Sequence, residues 1–335
     1  MAGKTAILAL TRGGTALGER LAGELPQARV FSCGGQVANT LHDCWHNFEN
    51  LVCIMAAGIV VRSLAPLLED KRTDPAVVVC DEQGRFAVSL LSGHLGGGNE
   101  LARRVADILG GQAVITTASD VLGHTALDLW ARDLGLAAAD TTGLTRAMGK
   151  LVNRGQVSVF SEVSLPDLPA DLVQTDDLQN ADLVISCRTD LQTPGTLLHP
   201  KILIAGIGCN RNTPADEIEQ ALQEACEKNH LARASIGGLA SIDLKSDEPG
   251  LLAFAAAHGY PITFFHRDQL NAVEGVATSA AVLKATGARG VAEPAAVLAA
   301  GGGRLLVGKM KWPNVTVAVA ERNSYTLEER KQDNP

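Results

Sequence analysis

Short apolar runs that break on glycine and pass directly into helical patterns constrain this chain more than any other feature. Residues 5–10 form one such run; Gly13-Gly14 follows, and then a helix-like stretch over 15–25. Residues 76–80 and 86–90 flank Asp81-Glu82-Gln83-Gly84 and read as a hairpin. A glycine-rich turn over 92–98 leads into a helix from near Asn99. Its Leu101, Val105, Ile108 and Leu109 share one face, and Gly110-Gly111 stops it. Residues 113–117 form another strand, with Asp120 just past its end. Strands alternating with helices at this spacing define an α/β protein. Residues 1–127 are expected to form an N-terminal three-layer α/β domain.

The pattern weakens from Asp128. Residues 146–151 read as helical, 156–161 and 183–186 as strands, and 163–177 is broken by Pro166 and Pro169. Residues 193–200, with two prolines and a glycine, read as a linker, so 128–199 is expected to be a smaller middle α/β region. A separate C-terminal α/β domain then spans 200–324. It begins with a strand over 202–207 and a helix start at Thr213-Pro214, with Thr as cap and Pro at the first helical position. Further helices run from about Ala277 to Gly287 and from Pro294 to Gly301-Gly302-Gly303. Residues 325–335 are a polar tail.

Composition narrows the class. The chain has 335 residues, enough for about two domains or three small ones, and only 4% are aromatic against 34 glycines, which disfavours an all-β sandwich. A net charge of −8 argues against a nucleic-acid binder. Seven cysteines are scattered without a CxxC pair, which points to reduced thiols in the cytoplasm. The apolar stretch Ala6–Leu10 is too short for a signal-peptide core, and no run is long enough to cross a bilayer.

The strongest chemical segment is Ser89-Leu90-Leu91-Ser92-Gly93-His94-Leu95-Gly96-Gly97-Gly98-Asn99-Glu100. Glycine lets a ligand approach the backbone, and a helix start offers unpaired N–H groups to an anion. His94 in that loop is a candidate general acid or base. No lysine follows the glycines, so this is not a GxxxxGK[ST] phosphate loop. Arg62 after Gly58, and Lys71-Arg72, place cations near turns, suited to a substrate bearing carboxylates or phosphates, or to a solvated face. Thr117 and Asp120 end a strand, where ligands bind in open α/β sheets, although Asp120 equally suits a helix cap.

Gly206-Ile207-Gly208-Cys209-Asn210-Arg211 lacks the third glycine of a dinucleotide fingerprint; Arg211 beside a helix start is the better anion contact. Glu293, before Pro294, either faces a ligand or answers the helix dipole. His42 and His46 have metal-ligand spacing but no closed ligand set, and read as a surface helix. No GxSxG nucleophile elbow is present. Cys53 and Cys80 sit in apolar strands and read as core.

Taken together, these segments resemble the cobalt-precorrin-5A hydrolase family, the G protein of anaerobic cobalamin biosynthesis. The resemblance rests on Gly58-Ile59-Val60-Val61-Arg62, Asp74-Pro75-Ala76-Val77-Val78-Val79, residues 89–100, Thr116-Thr117-Ala118-Ser119-Asp120, Gly206-Ile207-Gly208-Cys209 and Gly290-Val291-Ala292-Glu293-Pro294-Ala295-Ala296. Residues 128–199 match only as a variable middle, and the His42–His46 cluster lies outside the pattern.

The resemblance implies a cobalt-containing corrin precursor as substrate. Water opens the lactone joining the ring-A acetate to C20, and that carbon leaves as acetaldehyde. It implies no cofactor and no metal held by the protein itself, since cobalt arrives with the substrate. A small-molecule corrinoid is the partner, with room for a homo-oligomer or transient contact with neighbouring pathway enzymes. His94 is then the expected acid or base, Asp120 its orienting partner and Glu293 a second catalytic candidate. Gly58, Arg62, Lys71, Arg72, Ser92, Gly93, Gly96, Gly97, Gly98, Asn99, Thr117, Gly208 and Arg211 are the expected substrate contacts. A corrin carrier that releases no acetaldehyde and a methyltransferase on the same ring system are the competing readings.

Overall fold

All five residues of β1 (Thr5–Ala9) are buried, and they divide by alternation between two cores. Ala6 and Leu8 face a cluster formed with the helices Val37–Trp45 and Ala57–Leu64. Ile7 and Ala9 face a second cluster formed with Arg12–Glu24 and Gly98–Leu109. A strand covered on both faces belongs inside a sheet sandwiched between helices. The computed structural model, which describes residues 3–70, 73–94, 96–276 and 278–323, shows that arrangement.

β1 joins β2 (Ala28–Ser32), β3 (Asn50–Ile54), β4 (Ala76–Cys80), β5 (Phe86–Leu91) and β6 (Gln112–Val114) in the order β2-β1-β3-β4-β5-β6. The first four strands are parallel, β5 reverses against β4, and β6 runs with β5. The reversal decides where the loops go. Leu91 at the end of β5 pairs with Val77 at the start of β4. The glycine loop and the segment after β6 therefore emerge at the edge where β1, β3 and β4 begin. This compact unit ends at Leu129, two residues past the expected 127.

The second unit begins at Trp130 and holds two sheets. The first contains β7 (Leu136–Ala138), β8 (Val157–Ser161), β9 (Leu172–Gln174), β10 (Leu183–Ile185) and β11 (Thr196–Pro200), in the order β7-β11-β10-β8-β9. The expected linker over 193–200 is thus largely an interior strand. Its proline comes last, its Leu198 is fully buried, and Gly195 is required because a Cβ there would lie 2.5 Å from the Ala181 carbonyl oxygen.

The second sheet contains β12 (Leu203–Cys209), β13 (Ile236–Ile242), β14 (Ile262–Phe265), β15 (Leu305–Lys311) and β16 (Val315–Glu321), in the order β14-β13-β12-β16-β15. The two sheets, expected to belong to separate domains, share one unit. Ala232 N–H donates to Cys187 O at 2.7 Å, and Thr189 N–H to His230 O at 2.9 Å.

Three local readings change. The helix expected from Thr213 is Ala215–Lys228, because Pro214 is extended (ψ 153) and serves as cap while Thr213 Oγ1 donates to Asn210 O. The helix expected from about Ala277 is Ala280–Thr286; Ala277 itself, like the 325–335 tail, lies outside the described residues. The helix expected to open at Pro294 starts two residues earlier, as Ala292–Ala299. Among the described residues no helix is long and apolar enough to cross a membrane.

Candidate active site

The glycine loop is built to fold onto its own helix. Ser92 takes a left-handed φ of 55°, and its Oγ donates to Asp74 O at 2.9 Å, tying the loop to the residues before β4. Gly97, at φ 81°, caps the helix Gly98–Leu109. Side chains at Gly93, Gly96 or Gly98 would strike Asn99 Oδ1, Ser92 Cβ or Leu91 O, each within 2.8 Å.

This closure corrects one expectation. The N–H groups of Gly97, Gly98 and Asn99 do not await an anion: they donate to His94 O, Ser92 O and Gly93 O, each at 2.9 Å. The loop's product is a fixed side chain rather than an open anion cradle.

That side chain is His94. Its Nε2 lies 2.9 Å from Asp120 Oδ2 and 3.1 Å from Ser119 Oγ, and its Nδ1 lies 3.7 Å from Asp128 Oδ1. The side chains of His94, Asp120 and Asp128 are 10%, 18% and 13% exposed, so water screens them only weakly. Asp128, at ion-pair rather than hydrogen-bond separation, does most to raise the imidazole's pKa. Burial opposes it, and Asp120 adds to the rise. Burial pushes both carboxyl groups up, but the opposing pull is stronger and both pKa values end lowered. At Asp120 that pull comes from Arg103 and His94; at Asp128 it comes from His94 and the Leu129 N–H. The arrangement places one imidazole between two carboxylates.

Asp120 is held by more than histidine. Asn99 Nδ2 donates to it at 2.9 Å and to Thr117 Oγ1 at 3.1 Å, and Arg103 Nη2 donates to its other oxygen. Asn99 is 4% exposed, and its Oδ1 has no partner among the described residues. Asn99 and Arg103 are one helical turn apart, so the helix that the loop starts also clamps Asp120.

Of the expected residues, the structure gathers His94, Ser92, Gly93, Gly96, Gly97, Gly98, Asn99, Thr117 and Asp120 at one edge of the first sheet. Gly58 does not join them. The helix Ala57–Leu64 opens where β3 ends, at the opposite edge, and carries exposed Arg62 partway back. Lys71 and Arg72 lie outside the described residues. Gly208, Arg211 and Glu293 belong to the second unit.

There the Arg211 guanidinium is already engaged by Asp247 and by Leu244 O at 3.0 Å. Glu293 Oε1 accepts the Lys309 N–H at 2.9 Å, where the β15–β16 register is broken and that N–H needs a partner. Gly206 is a packing residue: a Cβ there would stand 1.8 Å from Ala292 O.

Sequence reasoning missed Asp128, Arg103 and Ser119. Arg103 was legible as Asn99 plus four. Asp128 carried no local signal and had been assigned to the neighbouring region. His42 and His46 are exposed and pack edge to face at 5.5 Å. Among the described residues no group of three or more His, Cys, Asp or Glu is placed to hold a metal ion.

An α/β chain that aims a glycine loop at one imidazole and flanks it with two carboxylates is equipped for acid–base chemistry. Three family models match it in chain order. Cobalamin synthesis G N-terminal covers residues 39–120, Cobalamin biosynthesis central region 125–200, and Cobalamin synthesis G C-terminus 203–320. The chain is 34% identical to the cobalt-precorrin-5A hydrolase of Priestia megaterium over 89% of its own length and 85% of the relative's. It is 35% identical to that of Salmonella typhimurium over 94% and 96%. A crystal structure of CobE, a protein from the cobalamin biosynthetic pathway, is 37% identical, covers 36% of this chain and 89% of that one, and superposes with a TM-score of 0.34. The chain belongs to the cobalamin synthesis protein G family.

Proposed function

We propose that this chain is a cobalt-precorrin-5A hydrolase of cobalamin biosynthesis, and that His94 protonates the oxygen released when water opens the substrate's lactone. The substrate in this reading is a partly methylated cobalt corrin precursor whose ring-A acetate is closed onto C20. Opening it yields a carboxylate and a C20 hydroxyl. C20 then departs with its methyl group as acetaldehyde, its electrons passing into the macrocycle, and cobalt-precorrin-5B remains. Cobalt enters with the substrate, and the reading needs no cofactor of the protein's own.

One observation carries the assignment: an imidazole flanked by Asp128 and Asp120, which raise its pKa above the ordinary value and so favour its protonated form. Breaking the lactone C–O bond leaves negative charge on oxygen, and a positioned acid there is worth roughly 10²–10⁴ in rate. Asp120, fixed by Asn99 and Arg103, sets the ring's orientation. The seven cysteines are all free thiols, which supports a cytoplasmic setting. Self-association and contact with enzymes acting before and after it are further parts of the reading, testable by light scattering on the pure chain.

The test is anaerobic incubation of the purified protein with the cobalt lactone, trapping volatile aldehyde. Stoichiometric acetaldehyde, faster than without protein and slowed roughly 10²-fold or more in His94→Ala, is the expected result. Full turnover in His94→Ala would remove His94 from the mechanism. Binding without any aldehyde would make the chain a carrier.

A further inference from the structure

We propose that Asp128 is the general base of this site: it takes the proton from the water that attacks the lactone carbonyl. The inference rests on the hydrolase reading and on a difference between the two carboxylates facing His94. Asp120 is fixed, accepting from His94, from Asn99 Nδ2 and from the Arg103 guanidinium. A carboxylate so held can orient but is poorly placed to accept another proton. Asp128 is differently arranged. Its Oδ1 accepts from the Leu129 N–H at 3.0 Å and lies at the longer 3.7 Å from His94 Nδ1. Its Oδ2 accepts no hydrogen bond among the described residues, and the side chain keeps 13% of its surface open.

Among the described residues the charged groups around the imidazole are Asp120 and Asp128 directly, with Arg103 on Asp120 and Glu100 3.7 Å from Arg103. Arg103 offsets Asp120, whereas among the described residues Asp128 has the His94 ring as its one ion-pair partner. The pair can therefore work as acid and base together.

A water proton passes to Asp128 as the water oxygen bonds to the lactone carbonyl carbon. The bond between the carbonyl carbon and the ring oxygen breaks with its electron pair on the oxygen, which stays on C20 and takes the proton from His94 Nδ1. Asp128 is then neutral and so is the imidazole. Transfer of the proton from Asp128 to Nδ1 across the 3.7 Å contact restores both charges. One water is consumed and one acid and one hydroxyl are formed, with no outside proton donor.

The experiment is chemical rescue. Asp128→Ala is expected to bind the cobalt corrinoid as the wild type does, by absorbance titration, and to lose roughly 10²–10⁴-fold in turnover. Added formate, a small carboxylate able to occupy the vacated space, is expected to restore part of that loss in a saturable way. A residue that only packs or orients would show no such rescue. Wild-type turnover in Asp128→Ala, or a loss that formate leaves untouched, would overturn the proposal. Should Asp128→Ala not fold, Asp128→Asn decides, and turnover within a few-fold of wild type would refute a base at this position. The two readings fail separately: an inactive His94→Ala with an active Asp128→Asn removes the base and leaves the hydrolase assignment standing.

Discussion

Replacing Gly206 with alanine separates two readings of the Gly206-Ile207-Gly208 run. A Cβ at 206 would stand 1.8 Å from the carbonyl oxygen of Ala292 and 2.9 Å from the Ala296 nitrogen. Both are backbone atoms of the helix Ala292–Ala299, so no side chain can swing aside and the helix must retreat by more than an ångström. Its Ala295 and Ala296 are fully buried in the cluster that contains Ile204, Ala240 and Ala320, so retreat opens packed surface. Overpacking costs roughly 1–3 kcal/mol, and rigid backbone contact puts Gly206→Ala near the top of that range, about 3 kcal/mol. At 208 the nearest atom to an added Cβ is 3.6 Å away, an ordinary contact, so Gly208→Ala should change stability by no more than about 0.5 kcal/mol.

Hydrogen exchange read by mass spectrometry on a peptide covering 292–303 measures this locally, without requiring the whole chain to unfold in one step. A loss of about 3 kcal/mol corresponds to roughly 10²-fold faster exchange there. Wild-type exchange in Gly206→Ala, or faster exchange in Gly208→Ala than in Gly206→Ala, would refute the packing argument.

The same style of reasoning reaches other positions. Asp128 and Asp120 hold the His94 pKa above its ordinary 6.5, so the imidazole's contribution to stability is complete below that value and fades as pH rises through the folded value. His94→Asn should therefore flatten the decline of urea midpoints on the alkaline side of about pH 6.5, and an unchanged slope would contradict the ion-pair geometry. Glu293→Gln keeps the oxygen that accepts the Lys309 N–H, whereas Glu293→Ala leaves that N–H unpaired at a cost of about 1–3 kcal/mol. Thermal melts should rank the two in that order. Turnover within about twofold of wild type in Glu293→Gln would leave Glu293 a structural role only.

Much of the fold was legible because it depends on local signals. The glycine loop, the hairpin at 81–84 and the helix from Asn99 each carry their determinants within a few residues. The strand over 196–200 escaped because Pro194-Gly195 and Pro200 imitate a linker; that Gly195 lies against the Ala181 carbonyl is a contact between distant residues. Asp120 could be suspected from its place after a strand. Asp128 could not, since it meets His94 only through the tertiary path of two short helices, Ala118–Leu122 and Leu127–Asp133. Arg211 shows the opposite failure: its sequence position suits an anion contact, yet Asp247, 36 residues later, already holds it.

The turn at 81–84 has a functional consequence. In an open parallel sheet, loops at the carboxyl ends of the strands share one edge, and ligands bind there. Had β5 continued in the direction of β4, its glycine loop would have emerged beside Gly58. The reversal gives β5 and β6 the opposite carboxyl edge. The loop after β5 supplies His94, the segment after β6 supplies Thr117, Ser119 and Asp120, and Ser92 binds the backbone of Asp74 where β4 begins. With His94 acting on the lactone as proposed, contacts within this unit to the substrate's nearby carboxylate arms come from the edge where β4 starts. On that geometry Arg62→Ala should weaken turnover far less than His94→Ala. Equal losses from the two substitutions would mean that the reacting lactone does not lie at the His94 edge.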